Sequence, residues 1–376
     1  MTKPAGARCN LRCTYCYYVG KNEPPGGEAA RTETMDATLL ERYIAERLAS
    51  SPGPVTHFEW HGGEPTLLGI EYFRTIVRLQ KRLRPAGRMV SNGIQTNGLL
   101  INEAWADFLA SEGFSVGLSL DGPADIHDRF RRSIEGRPTH ARVVKAFALL
   151  KARKVFCNIL CVLSSANVDE PDRVYDFFKA IGVTYLQFLP LVVRKGPNSV
   201  SDATAEAEAI GKFLCRVFDR WVVADVGRLV IQTFDEALRP VHGVEHALCV
   251  HRETCGDVAV LERDGSFYAC DHFVDAAHRV GSLRERSLAE LASDPLIRAF
   301  GEAKKASLPR LCRECLYRSL CNGGCPKDRF LKAPDGEDGL NYLCAAYRAL
   351  FAHAVPALTR LSAHIRSGRS LREFVG

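Results

Sequence analysis

Residues 9–16 read Cys9-Asn10-Leu11-Arg12-Cys13-Thr14-Tyr15-Cys16, a C-x3-C-x2-C spacing with an aromatic directly before the third cysteine. Three thiolates this close can hold three corners of one [4Fe–4S] cluster, and a chain that supplies only three leaves the fourth iron open to another ligand. A zinc site would want a fourth Cys or His nearby, and unligated thiols would need no such spacing. Neither alternative accounts for the motifs that follow.

The next signal is His61-Gly62-Gly63-Glu64-Pro65, a Gly-rich turn after the strand-like run 55–60. Glycines let backbone approach a ligand closely, and a carboxylate suits an ammonium. By itself this stretch is a turn like many others. Together with C-x3-C-x2-C and Tyr15 it resembles the radical S-adenosylmethionine (SAM) enzymes, in which SAM chelates the open iron and the GGEP turn receives its amino group.

Composition sets the outer bounds. The chain has 376 residues, 46% of them hydrophobic, enough for one large domain and a smaller one. The formal charge of +6 comes from interspersed Lys, Arg, Asp and Glu. No basic tract or arm points to nucleic acid or a membrane surface. No apolar run approaches the roughly 20 residues that span a bilayer, and the first residues lack the core of a signal peptide. A cytoplasmic protein with no nucleic-acid or membrane partner is expected.

Fourteen cysteines in a long chain of this type read as metal ligands rather than disulfides. Eleven fall into groups with ligand-like spacing, and Cys157, Cys161 and Cys215 are expected to be small buried hydrophobes. Beyond residues 9–16 the groups are Cys249-x5-Cys255, then Cys270, then Cys312-x2-Cys315-x5-Cys321-x3-Cys325, and finally Cys344. These eight suit two fully ligated clusters.

Hydrophobic periodicity predicts helices over 36–49, 69–83, 102–112, 138–152 and 170–181, and strands over 55–60, 89–94, 114–120, 155–163 and 184–189. Such alternation argues for a parallel sheet with helices outside. Polar residues mark the strand ends, among them Gln95, Asn97, Ser119 and Gln187. Strand C-termini form the ligand site in parallel α/β architectures, so these residues fit one cofactor crevice. Residues 194–201 read as a loop and 203–224 as a helix, after which the βα rhythm is expected to stop. Glu262-Arg263-Asp264-Gly265-Ser266 reads as a hairpin turn. The expected organisation is a first domain over 1–225, an auxiliary-cluster domain over 226–350 and a helical tail over 351–376.

The C-terminal cysteine pattern resembles the SPASM domain, a cap carrying two auxiliary [4Fe–4S] clusters. Lys3-Pro4-Ala5, residues 60–65 and 95–98, Gly117-Leu118-Ser119-Leu120-Asp121-Gly122-Pro123, Ile126-His127 and Cys270-Asp271 together resemble the anaerobic sulfatase-maturating enzymes. The resemblance implies an α/β fold: a partial (β/α)6 radical SAM barrel with a C-terminal SPASM iron–sulfur domain. It implies three [4Fe–4S] clusters and SAM as cofactors. Cys9, Cys13 and Cys16 would hold the SAM cluster, with Tyr15, Gly62, Gly63, Glu64, Gln95, Asn97, Ser119, Arg131 and Gln187 around SAM. Cys249, Cys255, Cys270 and Cys325 would ligate the nearer auxiliary cluster, and Cys312, Cys315, Cys321 and Cys344 the farther one, a pairing that spacing alone does not give. Asp271 falls at the family's catalytic base, and Tyr18 and His61 at substrate-facing positions.

The implied activity is conversion of a Cys or Ser in an unfolded sulfatase, within C/S-x-P-x-R, to Cα-formylglycine. A 5′-deoxyadenosyl radical would abstract hydrogen from Cβ, and a flavodoxin or ferredoxin would supply electrons. Two departures stand out. Eight residues precede Cys9, fewer than the family's usual lead-in, so the first strand is very short or the start lies upstream. His61 stands where some relatives carry Gln. A SPASM maturase that crosslinks a ribosomal peptide and an iron–sulfur electron carrier are the competing readings. SAM cleavage separates enzyme from carrier, and peptide mass spectrometry separates the two maturases.

Overall fold

The computed structural model describes residues 1–18, 34–197 and 199–376. In its first half the elements are β1 (Thr2–Lys3), α1 (Ala37–Ser50), β2 (Val55–Trp60), α2 (Ile70–Leu83), β3 (Met89–Thr96), α3 (Glu103–Ser111), β4 (Ser115–Ser119), α4 (Ala124–Phe130), α5 (His140–Ala152), β5 (Cys157–Leu163), α6 (Pro171–Ile181) and β6 (Tyr185–Pro190). There follow β7 (Arg194–Gly196), β8 (Ser199–Val200), α7 (Ala207–Ala224), β9 (Val230–Ile231), α8 (Gln232–Val241), β10 (Val260–Glu262), β11 (Ser266–Tyr268) and β12 (Arg279–Ser282). The last part holds α9 (Leu288–Ala292), α10 (Pro295–Ala306), α11 (Arg310–Arg313), α12 (Arg318–Cys321), β13 (Arg329–Lys332), β14 (Asp338–Asn341) and α13 (Cys344–Arg366). No helix among the described residues is long and apolar enough to cross a membrane.

Two compact units share the chain, one of Met1–Ser119, Phe130–Cys157 and Gly256–Phe300, the other of Leu120–Arg129, Asn158–Cys255 and Gly301–Gly376. In the first unit the strands run in the order β12-β11-β10-β1-β2-β3-β4. β1 is parallel to both β10 and β2, and β2, β3 and β4 are parallel to one another, while β10, β11 and β12 form an antiparallel meander. The predicted hairpin therefore lies between β10 and β11, and the first strand is two residues long.

Alternation along β2 explains how one strand serves both core and site. Thr56, Phe58 and Trp60 are buried, whereas His57 and Glu59 on the opposite face are exposed. Trp60 packs edge-on against Tyr43 of α1 and Phe73 of α2, which itself meets Trp105 and Phe114. Helix α1 starts on Asp36, whose side chain accepts from the Leu39 amide at 2.8 Å. Its Leu40, Ile44 and Leu48 repeat every four residues on the buried face. One polar knot lies in this core: Asn92 exchanges two 2.9 Å hydrogen bonds with Gln80 and accepts a third from the Trp60 indole. All three side chains are thereby satisfied in the dry interior.

In the second unit β6 lies parallel to the Asn158–Leu163 part of β5 and to β9. The βα rhythm thus continues through β9 and α8 instead of stopping after the 203–224 helix. A two-residue strand is too short to leave an alternation in the sequence. The expected loop at 194–201 likewise contains a short antiparallel hairpin, β7 and β8, with Asn198 outside the described residues. Helices α7 and α13 approach closely at Gly211, where a Cβ would stand 3.1 Å from the Cα of Ala346. Cys157 and Cys161 are buried as expected, but Cys215 on α7 is only partly so.

Candidate active site

The site of the first unit is built around the cysteine loop. The Arg12 amide donates to the Arg132 carbonyl at 2.8 Å, and Leu11 bridges to Ser133, so the loop is tied to residues 131–133. Tyr15 sits edge-on to Phe130 at 5.7 Å, and the Arg131 guanidinium lies 5.5 Å from the Tyr15 ring centroid. Asn97, just past β3, donates from Nδ2 to Asn10 at 2.8 Å and to Cys9 Sγ at 3.7 Å.

The GGEP turn locks onto the stretch leading into this loop. Gly63 N donates to the Gly6 carbonyl and Glu64 N to the Arg8 carbonyl, both at 2.7 Å. A Cβ on Gly63 would lie 2.1 Å from the Arg8 carbonyl oxygen, and Gly62 has φ +136. The close approach these glycines permit is first of all to the cysteine loop's own backbone. Glu64 is fully buried, and desolvation raises its pKa against a set of opposing hydrogen bonds. Its carboxylate accepts from Thr66 N at 3.0 Å, Thr66 Oγ1 at 2.5 Å, Thr96 Oγ1 at 2.7 Å and Asn97 N at 2.7 Å. Glu64 thereby fixes the end of β3 beside the turn. Gln95 Nε2 reaches Ser119 Oγ at 3.3 Å across the ends of β3 and β4. The unit thus gathers Tyr15, Gly62, Gly63, Glu64, Gln95, Asn97, Ser119 and Arg131, whereas Gln187 lies half-buried on β6 of the second unit.

Asp271 belongs to the first unit too, 7% exposed. Its carboxylate pairs with the ammonium of Lys3 and accepts from the Tyr17 hydroxyl at 2.6 Å. Burial alone would raise its pKa, but Lys3, His61 and the Tyr17 hydrogen bond outweigh that and hold it well below the carboxylate range. Lys3 is fully enclosed, with Nζ 3.5 Å from the centroid of the Tyr18 ring. The Tyr18 hydroxyl donates to Glu262 Oε1. Glu262 is pushed up to about 7 by desolvation, partly countered by Lys3 and Tyr18. His61 accepts from the Gly62 amide at Nδ1 (2.8 Å), and desolvation lowers its pKa to about 4, so its ring is neutral near pH 7.

Lys3, Tyr17 and Glu262 had no role in the sequence reading. Lys3 was visible only as part of Lys3-Pro4-Ala5, and Glu262 only as a turn residue. The missing signal was the β1–β10 ladder, which pairs Lys3 with Glu262 across the sheet.

In the second unit Cys312, Cys315, Cys321 and Cys344 line one cavity of about 450 Å³, walled by Tyr317, Tyr347 and Phe351. Thiols standing around a cavity suit a polynuclear cluster. Burial pushes the Cys9 and Cys321 thiols up to about 12, so cluster iron must displace their protons. Cys249, Cys255 and Cys325 all act on one buried ammonium, that of Lys304. Cys270 lies in the first unit.

Residues 4–178 match the model of the radical SAM superfamily, and residues 249–316 that of the SPASM iron-sulfur cluster-binding domain. Over 375 residues, 95% of this chain and 89% of the relative, it is 37% identical to a serine-type anaerobic sulfatase-maturating enzyme of Bacteroides thetaiotaomicron. The chain belongs to the anaerobic sulfatase-maturating enzymes. The cysteine-type sulfatase-maturating enzyme of Clostridium perfringens is 33% identical over 97% of this chain and 98% of its own length. A solved structure, native anSMEcpe with bound AdoMet and Cp18Cys peptide, superposes with a TM-score of 0.85 at 33% identity, covering 97% of this chain and 98% of that one. As a radical SAM and SPASM member of this enzyme family, the chain uses SAM and iron–sulfur clusters.

Proposed function

We propose that this enzyme oxidises a Cys or Ser of an unfolded sulfatase, within C/S-x-P-x-R, to Cα-formylglycine, with Cys9, Cys13 and Cys16 ligating the SAM cluster. The observation that carries this reading is the buried carboxylate of Asp271, held by Lys3 and Tyr17 in the same unit as the three-thiol loop and directly after Cys270. When bound, SAM's cluster supplies a radical that removes hydrogen from the substrate Cβ, and the auxiliary clusters supply a sink for the second electron.

The protein's own residues do the rest. Asp271 accepts the thiol or hydroxyl proton at a carboxylate oxygen, and Lys3 keeps that carboxylate ionised in a dry pocket. Tyr18 and His61 face the substrate, Tyr18 held by Glu262 and His61 neutral. Gly62, Gly63 and Glu64 receive SAM's amino group, while Tyr15, Gln95, Asn97, Ser119, Arg131 and Gln187 surround the rest of the cofactor. Cys249, Cys255, Cys270 and Cys325 hold one auxiliary cluster, and Cys312, Cys315, Cys321 and Cys344 the other. A flavodoxin or ferredoxin delivers electrons. A cytoplasmic setting goes with this reading, because the eleven cysteines given to the clusters need a compartment that keeps thiols reduced.

The test is to incubate the anaerobically reconstituted protein, SAM and a reductant with paired peptides carrying C-x-P-x-R or S-x-P-x-R. The Ser peptide should lose two hydrogens, and the Cys peptide should release hydrogen sulfide and take up oxygen from water. SAM turnover with neither peptide changed in mass would instead favour a crosslinking maturase.

A further inference from the structure

Among the described residues, two cations of the second unit, Lys304 and Arg329, have no acid to answer them. Lys304 on α10 is 1% exposed, and its ammonium donates to the carbonyl oxygens of Cys249 at 2.6 Å, Val250 at 3.0 Å and Arg252. Arg329, at the start of β13, donates from Nε to the Gly323 carbonyl at 2.9 Å and from Nη1 to that of Lys304 at 2.6 Å. Its Nη2 reaches the carbonyls of Asn322 at 2.7 Å and Gly324 at 3.2 Å. Their sequence neighbours are paired, Lys305 with Glu253 and Lys327 with Asp328, but among the described residues neither Lys304 nor Arg329 meets a carboxylate.

Carbonyl oxygens satisfy the N–H groups without cancelling the charge, and an ion taken out of water unopposed is costly. Thiols stand where carboxylates would be expected. The Lys304 charge acts on Cys255, Cys249 and Cys325, and the Arg329 charge on Cys312 and Cys321 as well as Cys255 and Cys325. The Arg329 guanidinium is held by the carbonyls of residues 322–324, between Cys321 of one proposed ligand set and Cys325 of the other, whereas Lys304 is held by the carbonyl of Cys249, of one set only.

We propose that Lys304 and Arg329 are the built-in counter-charges of the two auxiliary clusters, Arg329 serving both, and that they favour the reduced clusters. This rests on the reading of those cysteines as cluster ligands. A [4Fe–4S] core held by four thiolates carries net negative charge, and reduction adds one electron without making or breaking a bond. Fixed positive charge nearby offsets the added negative charge and raises the reduction potential. The clusters are thereby suited to take the electron that leaves the substrate when its proton goes to Asp271.

The competing account is that both side chains merely staple the ligand loops through carbonyl oxygens. Lys304→Gln and Arg329→Gln separate the two, because an amide still donates to a carbonyl but carries no charge. Both are made in the full chain with Cys9, Cys13 and Cys16 replaced by Ala, so that only auxiliary clusters remain. Iron is counted, and the clusters are titrated by potential under EPR. Each Gln variant should keep its auxiliary iron and shift the one-electron equilibrium at least tenfold toward the oxidised form, about 59 mV per tenfold. Arg329→Gln should move both signals and Lys304→Gln one. Unmoved midpoints at full iron overturn the proposal. Should the Gln variants shed iron, Lys304→Arg and Arg329→Lys decide: iron kept there supports a need for charge, and iron lost there too leaves only stapling. A parent protein that binds no auxiliary iron would refute the ligand reading itself.

Discussion

The Lys3–Asp271 pair can be taken apart one partner at a time or both together, and the two ways give different outcomes. Lys3 is 0% exposed and Asp271 7%. Removing one member of such a pair strands the other and typically costs about 3–5 kcal/mol, whereas replacing both is far milder. Asp271→Asn should fall at the lower end, because the stranded ammonium still has Glu262 within electrostatic reach. Lys3→Met should fall at the upper end, since it leaves two buried acids without their cation. The double variant should recover most of the thermal midpoint lost in either single. Chemistry should not follow stability. Without the carboxylate, general base catalysis worth roughly 10²–10⁴-fold disappears, from Asp271→Asn and from the double variant alike. The assay measures 5′-deoxyadenosine and formylglycine in one anaerobic reaction, with iron counted beforehand. Both variants should retain iron and cleave SAM while making little product. A double variant that regains product along with stability, or Asp271→Asn working at near-normal rate, would show the carboxylate to be a structural partner only.

Glu262 carries a pH signature. Its pKa rises from 4.5 to about 7 on folding, so the native state binds more protons than the unfolded one between those values. Stability should therefore fall as pH rises through that window, by at most about 3 kcal/mol, and Glu262→Gln should flatten the profile in denaturant titrations. Iron analysis of the parent should give about 12 iron per chain as three [4Fe–4S] clusters. Replacing Cys9, Cys13 and Cys16 by Ala should leave about two-thirds of that iron and no 5′-deoxyadenosine. Zinc in place of iron, or SAM cleavage that survives the change, contradicts the assignment. Gly63→Ala drives a Cβ to 2.1 Å from the Arg8 carbonyl, a backbone atom with little room to move. It should cost roughly 1–3 kcal/mol and reduce SAM-cluster occupancy, with auxiliary iron unchanged.

Much of the fold could be read from the residues because the helices and strands of the first half are long and strongly patterned. Val55–Trp60 alternates cleanly, and Ile70–Leu83 keeps an apolar stripe of Phe73, Ile76 and Val77. Two-residue strands carry no such pattern, so Val230–Ile231 went unseen. The ligand groups stood out because cysteine spacing is a covalent property of the chain. Partners brought together by the sheet do not show in that way. Lys3 and Glu262 are neighbours only through the pairing of β1 with β10, and nothing local marks either as buried. Similarly, the four hydrogen bonds that the Glu64 carboxylate accepts from Thr66, Thr96 and Asn97 depend on β3 ending beside the turn and leave no local mark in the sequence.

The pairing of Thr2 with Leu261 has a consequence for how the molecule comes into being. The two residues are 259 positions apart (261 − 2). At a ribosomal pace of about 5–20 residues per second, the first strand waits roughly 13–50 s for its late partner. Throughout that interval Lys3 has neither Glu262 nor Asp271 beside it, and the thiol loop six residues on is anchored on one side only. Residues this far apart along the chain must meet before the pocket closes, so iron loading of the thiol loop belongs after residue 271 has been made. A nascent chain stalled before residue 260 should leave Cys9, Cys13 and Cys16 open to alkylation.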